Sequence, residues 1–357
     1  MQGLSERIPA RKPDPGAPAR MKQVVLRAHP QGEPSASDFA IETVDVPAIG
    51  AGQVLLKTLW LSLDPLIRFA IDRTPLTGPN RVRVGEPMYG GTVSQVVETR
   101  SPGFAAGDFV EGRTGWREFA AIDPAATPLR KLDAEVAPLS TALGVLGMPG
   151  QTAHACMIGV GRVAAGETVV ISAAAGAVGS IAGQIGKILG ARVVGITGGA
   201  AKCAALEALG FDAGIDYKTA EFPVRLAAAC PNGVDVYIEN VGGAVTEAVL
   251  PLFKYRARMP VCGFISYYGT GKEGPGPDRL PGFMRTIMSK GLEVRGFGGA
   301  LVGGTGALEQ LAAWVKAGRI RYPEVVVEGL ESAPAAFAGI FRGNSNVGKL
   351  LVRVAEV

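Results

Sequence analysis

Residues 168–183 read TVVISAAAGAVGSIAG, and this stretch decides the fold. It begins with a short apolar run, passes through small residues and continues in a helical pattern, which is typical of a buried parallel strand that turns directly into a helix. The first turn of such a helix carries free backbone N–H groups and the positive end of the helix dipole. Since Ala175, Gly176 and Gly179 lack large side chains, a pyrophosphate can reach this backbone, and we predict a dinucleotide-binding turn. Gly183, one turn further on, predicts close packing of the helix on its strand.

The end of the next predicted strand indicates which dinucleotide binds. This strand, 192–197, ends about twenty residues beyond the turn, where an NAD site usually carries an acidic residue for the adenosine ribose. Here the strand ends in Thr197 and Gly198 without an acid, and Lys202 follows. A neutral turn beside a cation accepts a 2′-phosphate, so we predict NADP(H). Lys202 could instead be a solvated lysine at the start of a helix.

The composition bounds the class of protein. The chain has 357 residues, a hydrophobic fraction of 47% and a net charge of +4, which is typical of a soluble two-domain α/β enzyme. It has no dense block of Lys and Arg, so we predict neither nucleic acid nor a membrane surface as a partner. No apolar run approaches the roughly 20 residues that a membrane-spanning helix needs, and the N-terminus lacks a signal-peptide core. These features predict a cytoplasmic protein.

The pattern of apolar residues divides the chain into segments. Residues 1–20 are rich in Pro, Arg and Ala and predict a disordered N-terminal extension. Residues 21–141 show short alternating strands cut by Pro and Gly, which predicts an irregular β-rich domain. In residues 142–311 strands alternate with helical stretches, as in a doubly wound parallel sheet, so the predicted fold class is α/β. Residues 312–357 return to β character and are predicted to complete the first domain.

Individual strands can be predicted within each segment. Those of the β-rich domain are 22–27, 39–44, 53–60 and 92–98, those of the parallel sheet are 168–172, 192–197, 234–238, 259–264 and 292–297, and those of the last segment are 324–328 and 350–354.

Eight short motifs occur in the order that one enzyme family shows. They are LSLDP at 61–65 with Arg68, GWREF at 115–119, GMPGQTA at 147–153, AAAGAVG at 173–179, IDYK at 215–218, ENVGG at 239–243, CGFIS at 262–266 with Tyr268, and NVGK at 346–349. With them the chain resembles the medium-chain dehydrogenase/reductases, and within these the zinc-free NADPH-dependent alkenal/one reductases, which include leukotriene B4 12-hydroxydehydrogenases, prostaglandin reductases and curcumin-reductase-like enzymes. The resemblance implies a Rossmann-type NADP-binding domain at 142–311, a GroES-like catalytic domain at 21–141 and 312–357, and a homodimer.

The reaction that this resemblance implies is hydride transfer from NADPH to the β-carbon of an α,β-unsaturated ketone or aldehyde, followed by protonation of the enolate. The protein must orient the nicotinamide and bind the developing enolate oxygen. The resemblance puts Tyr268 beside the nicotinamide ribose, and a phenol with a pKa near 10 is protonated at neutral pH and can donate. Tyr268 is therefore the candidate catalytic residue. Tyr267 is its rival, and Tyr268 could instead be a tyrosine that only packs a strand end.

The resemblance also implies which residues contact NADP(H). They are Ala175, Gly176, Ala177, Val178 and Gly179 in the turn; Thr197 and Gly198 after the second strand; Lys202 and Tyr217 at the 2′-phosphate; Thr152 and Asn346 at the nicotinamide and its ribose; and Asn240, Cys262 and Phe297 elsewhere in the site. Both asparagines could instead form turns, which is a common use of Asn beside Gly.

Several positions depart from the family pattern and leave the substrate open. Leu66 and His154 stand where Tyr is common, and together with Tyr267 they are the predicted substrate-pocket residues. His154 could be an acid or a polar anchor, or a hydrogen-bonded core residue. The polar segment 269–282 could be a lid over the substrate or a surface insertion.

The cysteine and histidine content predicts an enzyme without a metal. A catalytic zinc takes three protein ligands, and a structural zinc takes four closely spaced thiolates. The four cysteines form no C-x-x-C pair, and the two histidines are His29 and His154. We expect each cysteine to be small apolar packing in a reduced compartment.

Two other functions fit the same motifs. One is a zinc-free quinone or carbonyl oxidoreductase, which would act on benzoquinone but not on enones. The other is a non-catalytic NADPH-binding sensor, which would bind NADPH without oxidising it.

Overall fold

The computed structural model describes residues 18–73, 81–268, 276–297, 306–343 and 347–357. The strands in this part of the chain are β1 (Arg20–Leu26), β2 (Phe39–Asp45), β3 (Val54–Ser62), β4 (Thr92–Thr99), β5 (Phe109–Gly112), β6 (Phe119–Ile122), β7 (Arg130–Leu132), β8 (Thr168–Ile171), β9 (Arg192–Thr197), β10 (Ala213–Asp216), β11 (Val234–Ile238), β12 (Phe253–Val261), β13 (Glu293–Gly296), β14 (Glu324–Glu328) and β15 (Lys349–Arg353). The α-helices are α1 (Ile67–Ala70), α2 (Met148–His154), α3 (Ala177–Ile188), α4 (Ala200–Ala208), α5 (Phe222–Ala229), α6 (Gly243–Val249), α7 (Leu280–Lys290), α8 (Ala307–Lys316) and α9 (Ala333–Phe341).

One sheet is parallel and has six strands in the order β10-β9-β8-β11-β12-β13. From β8 the chain adds β9 and β10 on one side, and from β11 it adds β12 and β13 on the other. The direction of winding therefore changes between β8 and β11. Both faces are covered, because Val169 and Ile171 of β8 belong to one buried cluster whereas Val170 belongs to another. The predicted doubly wound parallel sheet is confirmed. Ligands bind at such a switch point, beyond the carboxyl ends of the strands.

The second sheet has the order β14-β15-β3-β4-β5-β7, and β6 also pairs with β3. β15 is antiparallel to β3, with Val352 opposite Leu61. The C-terminal segment therefore adds β14 and β15 to the β-rich sheet. The core beside this sheet contains the fully buried Trp116, whose ring centroid lies 5.8 Å from that of Phe39 and 5.6 Å from that of Phe337.

The predicted strand 259–264 is wrong at both ends, since β12 begins six residues earlier and stops at Val261. The first half of β12 is polar and largely exposed, so no apolar run marks it. Its end is set by tertiary hydrogen bonds: the backbone N–H groups of Cys262 and Gly263 both donate to the Glu239 carbonyl, at 2.9 and 3.1 Å. These bonds turn the chain away from the sheet direction.

Two other predicted segment boundaries differ from those in the structure. β1 begins at Arg20, inside the segment 1–20 that was predicted as a disordered extension, and residues 1–17 lie outside the described part of the chain. α7 begins at Leu280, inside the predicted loop 269–282, and residues 269–275 also lie outside the described part.

The turn between β8 and α3 depends on its glycines in two different ways. Gly176 is the N-cap of α3. A Cβ on Gly179 would lie 2.6 Å from the Ala173 carbonyl oxygen and 2.7 Å from Ala174 Cα, so the close approach to the strand end occurs here. A Cβ on Gly183 would instead collide with the ring of Phe211. Gly183 makes room for an aromatic ring that precedes β10, and the packing of the helix on its own strand through this glycine stays a prediction.

Among the helices of the described residues, none combines the length and the apolar character needed to span a bilayer.

Candidate active site

A cavity of about 1250 Å³ is lined by residues from both sheets. On one side its walls are the turn after β8 and the segments that follow β9 and β11. On the other side they are residues 63–66 after β3 and the start of β15. The cavity therefore includes the switch point of the parallel sheet, where nucleotides bind in folds of this type.

The turn at residues 173–179 forms a wall of backbone and small side chains. Gly176, Val178 and Gly179 line the cavity. The turn is held from the side by the C-terminal part of the chain, because the Gly348 N–H donates to the Ala175 carbonyl at 2.7 Å and Gly348 bridges to Gly176. Free helix N–H groups beside small residues suit a diphosphate.

Positive charges collect at the end of the cavity beyond β9. Lys202, Lys218 and Arg342 line this end, and Lys202 Nζ donates to the Gly343 carbonyl at 3.2 Å. Burial lowers the pKa of the Lys202 ammonium, and the neighbouring charge of Lys218 lowers it further. An anion between these groups would relieve their repulsion, so this end suits a phosphate.

Tyr268 stands in the wall of the cavity, 8% exposed. Its ring centroid lies 4.3 Å from that of Phe69 and 5.4 Å from that of Phe264. Burial raises the pKa of the Tyr268 phenol to about 12, although a hydrogen bond from the backbone of Phe264 opposes the shift. The phenol therefore keeps its proton throughout the neutral range and can donate it in a hydrogen bond.

A buried carboxylate organises the switch point. Glu239 is 3% exposed, and its Oε1 accepts hydrogen bonds from the Val241 N–H at 2.6 Å, the Gly242 N–H at 2.9 Å and the Ser172 hydroxyl at 3.1 Å. Next to it, Asn240 Nδ2 donates to the Ser172 carbonyl at 2.8 Å. These bonds tie the end of β11 to the end of β8, so this part of the wall is rigid.

Comparison with known proteins places the chain in a family. Residues 22–129 match a family model described as the N-terminal domain of oxidoreductase, and residues 177–317 match one described as zinc-binding dehydrogenase. The chain is 45% identical over 340 residues to the NADPH-dependent curcumin reductase of Escherichia coli K12, which covers 94% of this chain and 97% of the relative. It is 39% identical over 335 residues to prostaglandin reductase 1 of Oryctolagus cuniculus, covering 92% of each. The chain belongs to the medium-chain dehydrogenase/reductase family.

A solved structure of this family agrees with the fold. The crystal structure of CurA from Vibrio vulnificus in complex with NADPH superposes with a TM-score of 0.88 at 40% identity, covering 94% of this chain and all of the other. The parallel sheet and the β-rich sheet are thus the Rossmann-type and GroES-like units of a medium-chain dehydrogenase/reductase. The predicted fold class and family are confirmed.

The structure brings most of the predicted site residues to one cavity. Those that line it are Thr152, Ala175, Gly176, Ala177, Val178, Gly179, Thr197, Gly198, Lys202, Tyr217, Asn240, Cys262, Phe297, Tyr268 and Leu66. Asn346 lies outside the described residues. The roles that the family resemblance implies for these residues stay predictions.

Two predicted substrate-pocket residues are not part of the cavity wall. His154 Nε2 is 2.7 Å from Oε1 of Gln310 on α8, and its ring lies 6.3 Å from that of Trp314. The ring of Tyr267 instead packs against Gly242, where a Cβ would lie 2.8 Å from it. Neither residue lines this cavity, and their roles in a substrate pocket stay predictions. His154 is half-buried and hydrogen-bonded between two helices, so neither alternative for it is decided.

Reasoning from the sequence missed several residues of the cavity wall. Lys218 directly follows Tyr217 in the IDYK motif, so the motif could have indicated it. Arg342 follows α9, more than a hundred residues further along, and has no local signal. Phe69, which packs against Tyr268 in this wall, was also missed, because the contact joins distant parts of the chain.

The four cysteines are free thiols that differ in burial. Cys156, Cys203 and Cys230 are buried free thiols, and Cys262 is a partly buried one. Within the described ranges, no group of three or more His, Cys, Asp or Glu side chains is arranged to hold a metal ion.

Proposed function

We propose that this protein is an NADPH-dependent reductase of the activated C=C bond of α,β-unsaturated ketones and aldehydes. The observation that carries the proposal is the position of a protonated Tyr268 in the same cavity as the dinucleotide turn. Its relatives support it, since their names describe an NADPH-dependent curcumin reductase and a prostaglandin reductase.

The shape and charge of the cavity fit NADP(H). The turn leaves no room for a Cβ at Gly179, which is expected where a helix N-terminus must stay close to a strand end and open to a diphosphate. The cations Lys202, Lys218 and Arg342 suit the 2′-phosphate, and Tyr217 stands beside them. NADPH, when bound, supplies the hydride.

Tyr268 stabilises the charge that develops on the substrate. As the β-carbon gains a hydride, the electron pair of the C=C bond moves towards the carbonyl oxygen, and the Tyr268 hydroxyl donates a hydrogen bond to it. Since burial raises the pKa of this phenol to about 12, it stays a donor and does not repel the enolate as a phenolate would. The α-carbon is then protonated, either by Tyr268 with replacement of its proton from solvent or by water directly.

We assign the remaining cavity residues by the same reasoning. Residues 175–179 hold the diphosphate, Thr197 and Gly198 hold the adenosine ribose, and Thr152, Asn240, Cys262 and Phe297 surround the nicotinamide and its ribose. Asn346, which lies outside the described residues, takes a role at the nicotinamide ribose from the family resemblance alone. Leu66 lines the substrate end. We assign residues 142–311 to the cofactor domain and residues 21–141 with 312–357 to the catalytic domain, with β1 starting at Arg20.

The central experiment compares the neighbouring tyrosines. Tyr268→Phe should lower kcat for an enone about 100-fold, because it removes the donor, and should leave the NADPH Kd within about twofold. Tyr267→Phe is the matched control and should keep kcat. NADPH absorbance with a panel of enones, enals and quinones measures turnover. Unchanged kcat in Tyr268→Phe, or wild-type activity on benzoquinone but on no enone or enal, would contradict the proposal.

We also propose that turnover needs no metal. Tyr268 in the cavity wall can stabilise the enolate charge by a hydrogen bond, without a metal ion. The four cysteines are free thiols in separate places. Metal analysis of the purified enzyme and turnover after dialysis against a chelator test this. Stoichiometric zinc whose removal abolishes activity would overturn it.

A homodimer is proposed on the outer edge of the parallel sheet. α7 contains no buried residue, and its Leu280, Met284 and Met288 are 61%, 55% and 80% exposed. Beside it, β13 is the last strand of its sheet within the described residues, and antiparallel pairing with a second copy centred on Val294 sets Glu293 opposite Arg295. Such an edge with an apolar face suits a second copy of the same chain.

Light scattering tests the dimer. Met288→Glu should shift the mass from dimer to monomer, because it puts a charge in the apolar face. A monomeric wild-type protein would rule the dimer out. The cytoplasmic location is likewise a proposal, and fractionation of cells that express the protein at its natural level measures it.

A further inference from the structure

We propose that Lys349 is a positioning residue that holds the substrate wall, residues 63–69, in register with the cofactor turn. This inference rests on the proposed function. It concerns the NVGK motif, whose lysine has no part in the roles assigned so far.

Lys349 is a buried ammonium with two specific acceptors. Its side chain is 4% exposed, and Nζ donates to the Leu63 carbonyl and to Asp64 Oδ1, both at 2.9 Å. The other oxygen of Asp64 accepts from the Ser62 hydroxyl at 2.6 Å. Both Lys349 and Asp64 line the cavity.

The residue before Lys349 is bound to the cofactor turn. The Gly348 N–H donates to the Ala175 carbonyl at 2.7 Å, and Gly348 forms a bridge to Gly176. Gly348 has φ +85°, and a Cβ there would collide with the Pro323 carbonyl, so its backbone conformation is narrowly determined. Gly348 thus contacts the cofactor turn through its backbone, and the next residue, Lys349, contacts the substrate wall through its side chain.

The substrate wall leads directly to Tyr268. The Asp64 carbonyl accepts the first hydrogen bond of α1, from the Ile67 N–H at 3.0 Å. α1 carries Phe69, whose ring lies 4.3 Å from that of Tyr268. A displacement of Asp64 would therefore move the ring that packs against the proposed donor.

Stability alone does not explain a lysine here. A buried ion pair is often no more stabilising than apolar residues of the same volume, because both charges lose their hydration. The pair does restrict direction and distance, since the ammonium must stay within hydrogen-bond reach of both the Leu63 carbonyl and the Asp64 carboxylate. Lys349 accordingly serves to place Leu63 and Asp64 relative to Gly348.

The test is Lys349→Met, which keeps the length of the side chain and removes its charge. We expect kcat/KM for the enone to fall about 30-fold, through both a higher KM and a lower kcat, while the NADPH Kd stays within about twofold. Lys57→Met is the matched control, because Lys57 also lies in the β-rich sheet and donates to a backbone carbonyl, that of Glu356, at 2.9 Å. It should keep wild-type kinetics.

Asp64→Asn and the double variant separate position from folding. Asp64→Asn keeps the shape of the side chain and should lower kcat/KM about fivefold, and the double variant should resemble Lys349→Met alone because the two residues act as one unit. If Lys349→Met does not fold, Asp64→Asn alone carries the test. A NADPH Kd that rises as much as the enone KM, or an unchanged kcat/KM in a folded variant, would overturn the proposal.

Amide hydrogen exchange gives a second measurement that needs no turnover. In the wild type, NADPH should slow exchange both in residues 173–179 and in residues 63–70. In Lys349→Met the first effect should persist and the second should be lost; if residues 63–70 stay protected, Lys349 does not couple them. A wild type that binds NADPH but reduces no enone would refute the proposed function, and the exchange data would still decide the role of Lys349.

Discussion

The two ends of the cavity are built in different ways. The cofactor end is made from backbone and small residues that are close in the sequence, as in the turn 173–179. The proposed substrate end is lined by side chains from distant segments, Leu66, Tyr268 and Lys349, and Phe69 packs against Tyr268. A backbone site tolerates almost no added atom, whereas a side-chain site can change its lining and keep its fold. One fold can thus keep its cofactor and vary its substrate.

The largest effect on NADPH affinity is expected at the cofactor end. Gly179→Ala adds a Cβ within 2.7 Å of backbone atoms that cannot rotate away. Overpacking of this kind costs about 2 kcal/mol, so if the turn opens to relieve it the NADPH Kd rises about 30-fold. Fluorescence titration of NADPH measures it. Gly339→Ala is the control, since no atom lies within 4 Å of that Cβ, and equal affinities in the two variants would remove the contrast.

A smaller effect, selective for NADPH over NADH, is expected at the cations proposed to bind the 2′-phosphate. Lys202→Ala removes one cation from the group that includes Lys218 and Arg342. We expect the KM for NADPH to rise about tenfold and that for NADH to change less than twofold, because only NADPH carries the 2′-phosphate. Steady-state kinetics with both coenzymes measure this. Equal changes would mean that Lys202 acts on the fold and not on the phosphate.

At the substrate end, truncating a packing side chain should be milder than removing the Tyr268 hydroxyl or the Lys349 ammonium. Phe69→Ala removes the ring 4.3 Å from Tyr268, and the loss of an aromatic pair worth about 1 kcal/mol should lower kcat/KM for the enone about fivefold. The NADPH Kd should not change. Phe104→Ala is the control, because Phe104 packs in a separate cluster of the β-rich sheet. A shift of NADPH affinity in Phe69→Ala would contradict the division into two ends.

The smallest effect concerns pH. Because the pKa of Tyr268 is raised to about 12, its ionisation should produce no inflection in kcat below pH 10, and the profile of Tyr268→Phe should have the same shape at a lower level. The folded state holds this proton more tightly than the unfolded state, whose phenol has a pKa near 10. Its contribution to stability is therefore complete below pH 10 and falls as the pH rises towards 12. An inflection near pH 8 that Tyr268→Phe removes would refute this.

Sequence reasoning succeeded where the structural cause is local. The strand, turn and helix at 168–188 were predictable because apolar spacing and small residues within one stretch determine them. β12 was misplaced because its end depends on hydrogen bonds to the Glu239 carbonyl, which no local pattern contains. The contact of His154 was unpredictable for a similar reason, since its partner Gln310 lies on a helix far along the chain.

The order of residues was enough to indicate an α/β fold, a dinucleotide turn and NADP(H), because those properties follow from residues within about one strand and one helix of each other. Only tertiary structure decided which side chains meet at the proposed substrate end. Phe69 meets Tyr268, and Lys349 meets Asp64, across about two hundred residues or more of chain. Such contacts depend on how the two sheets pack together, and the spacing of the partners in the sequence does not indicate this packing.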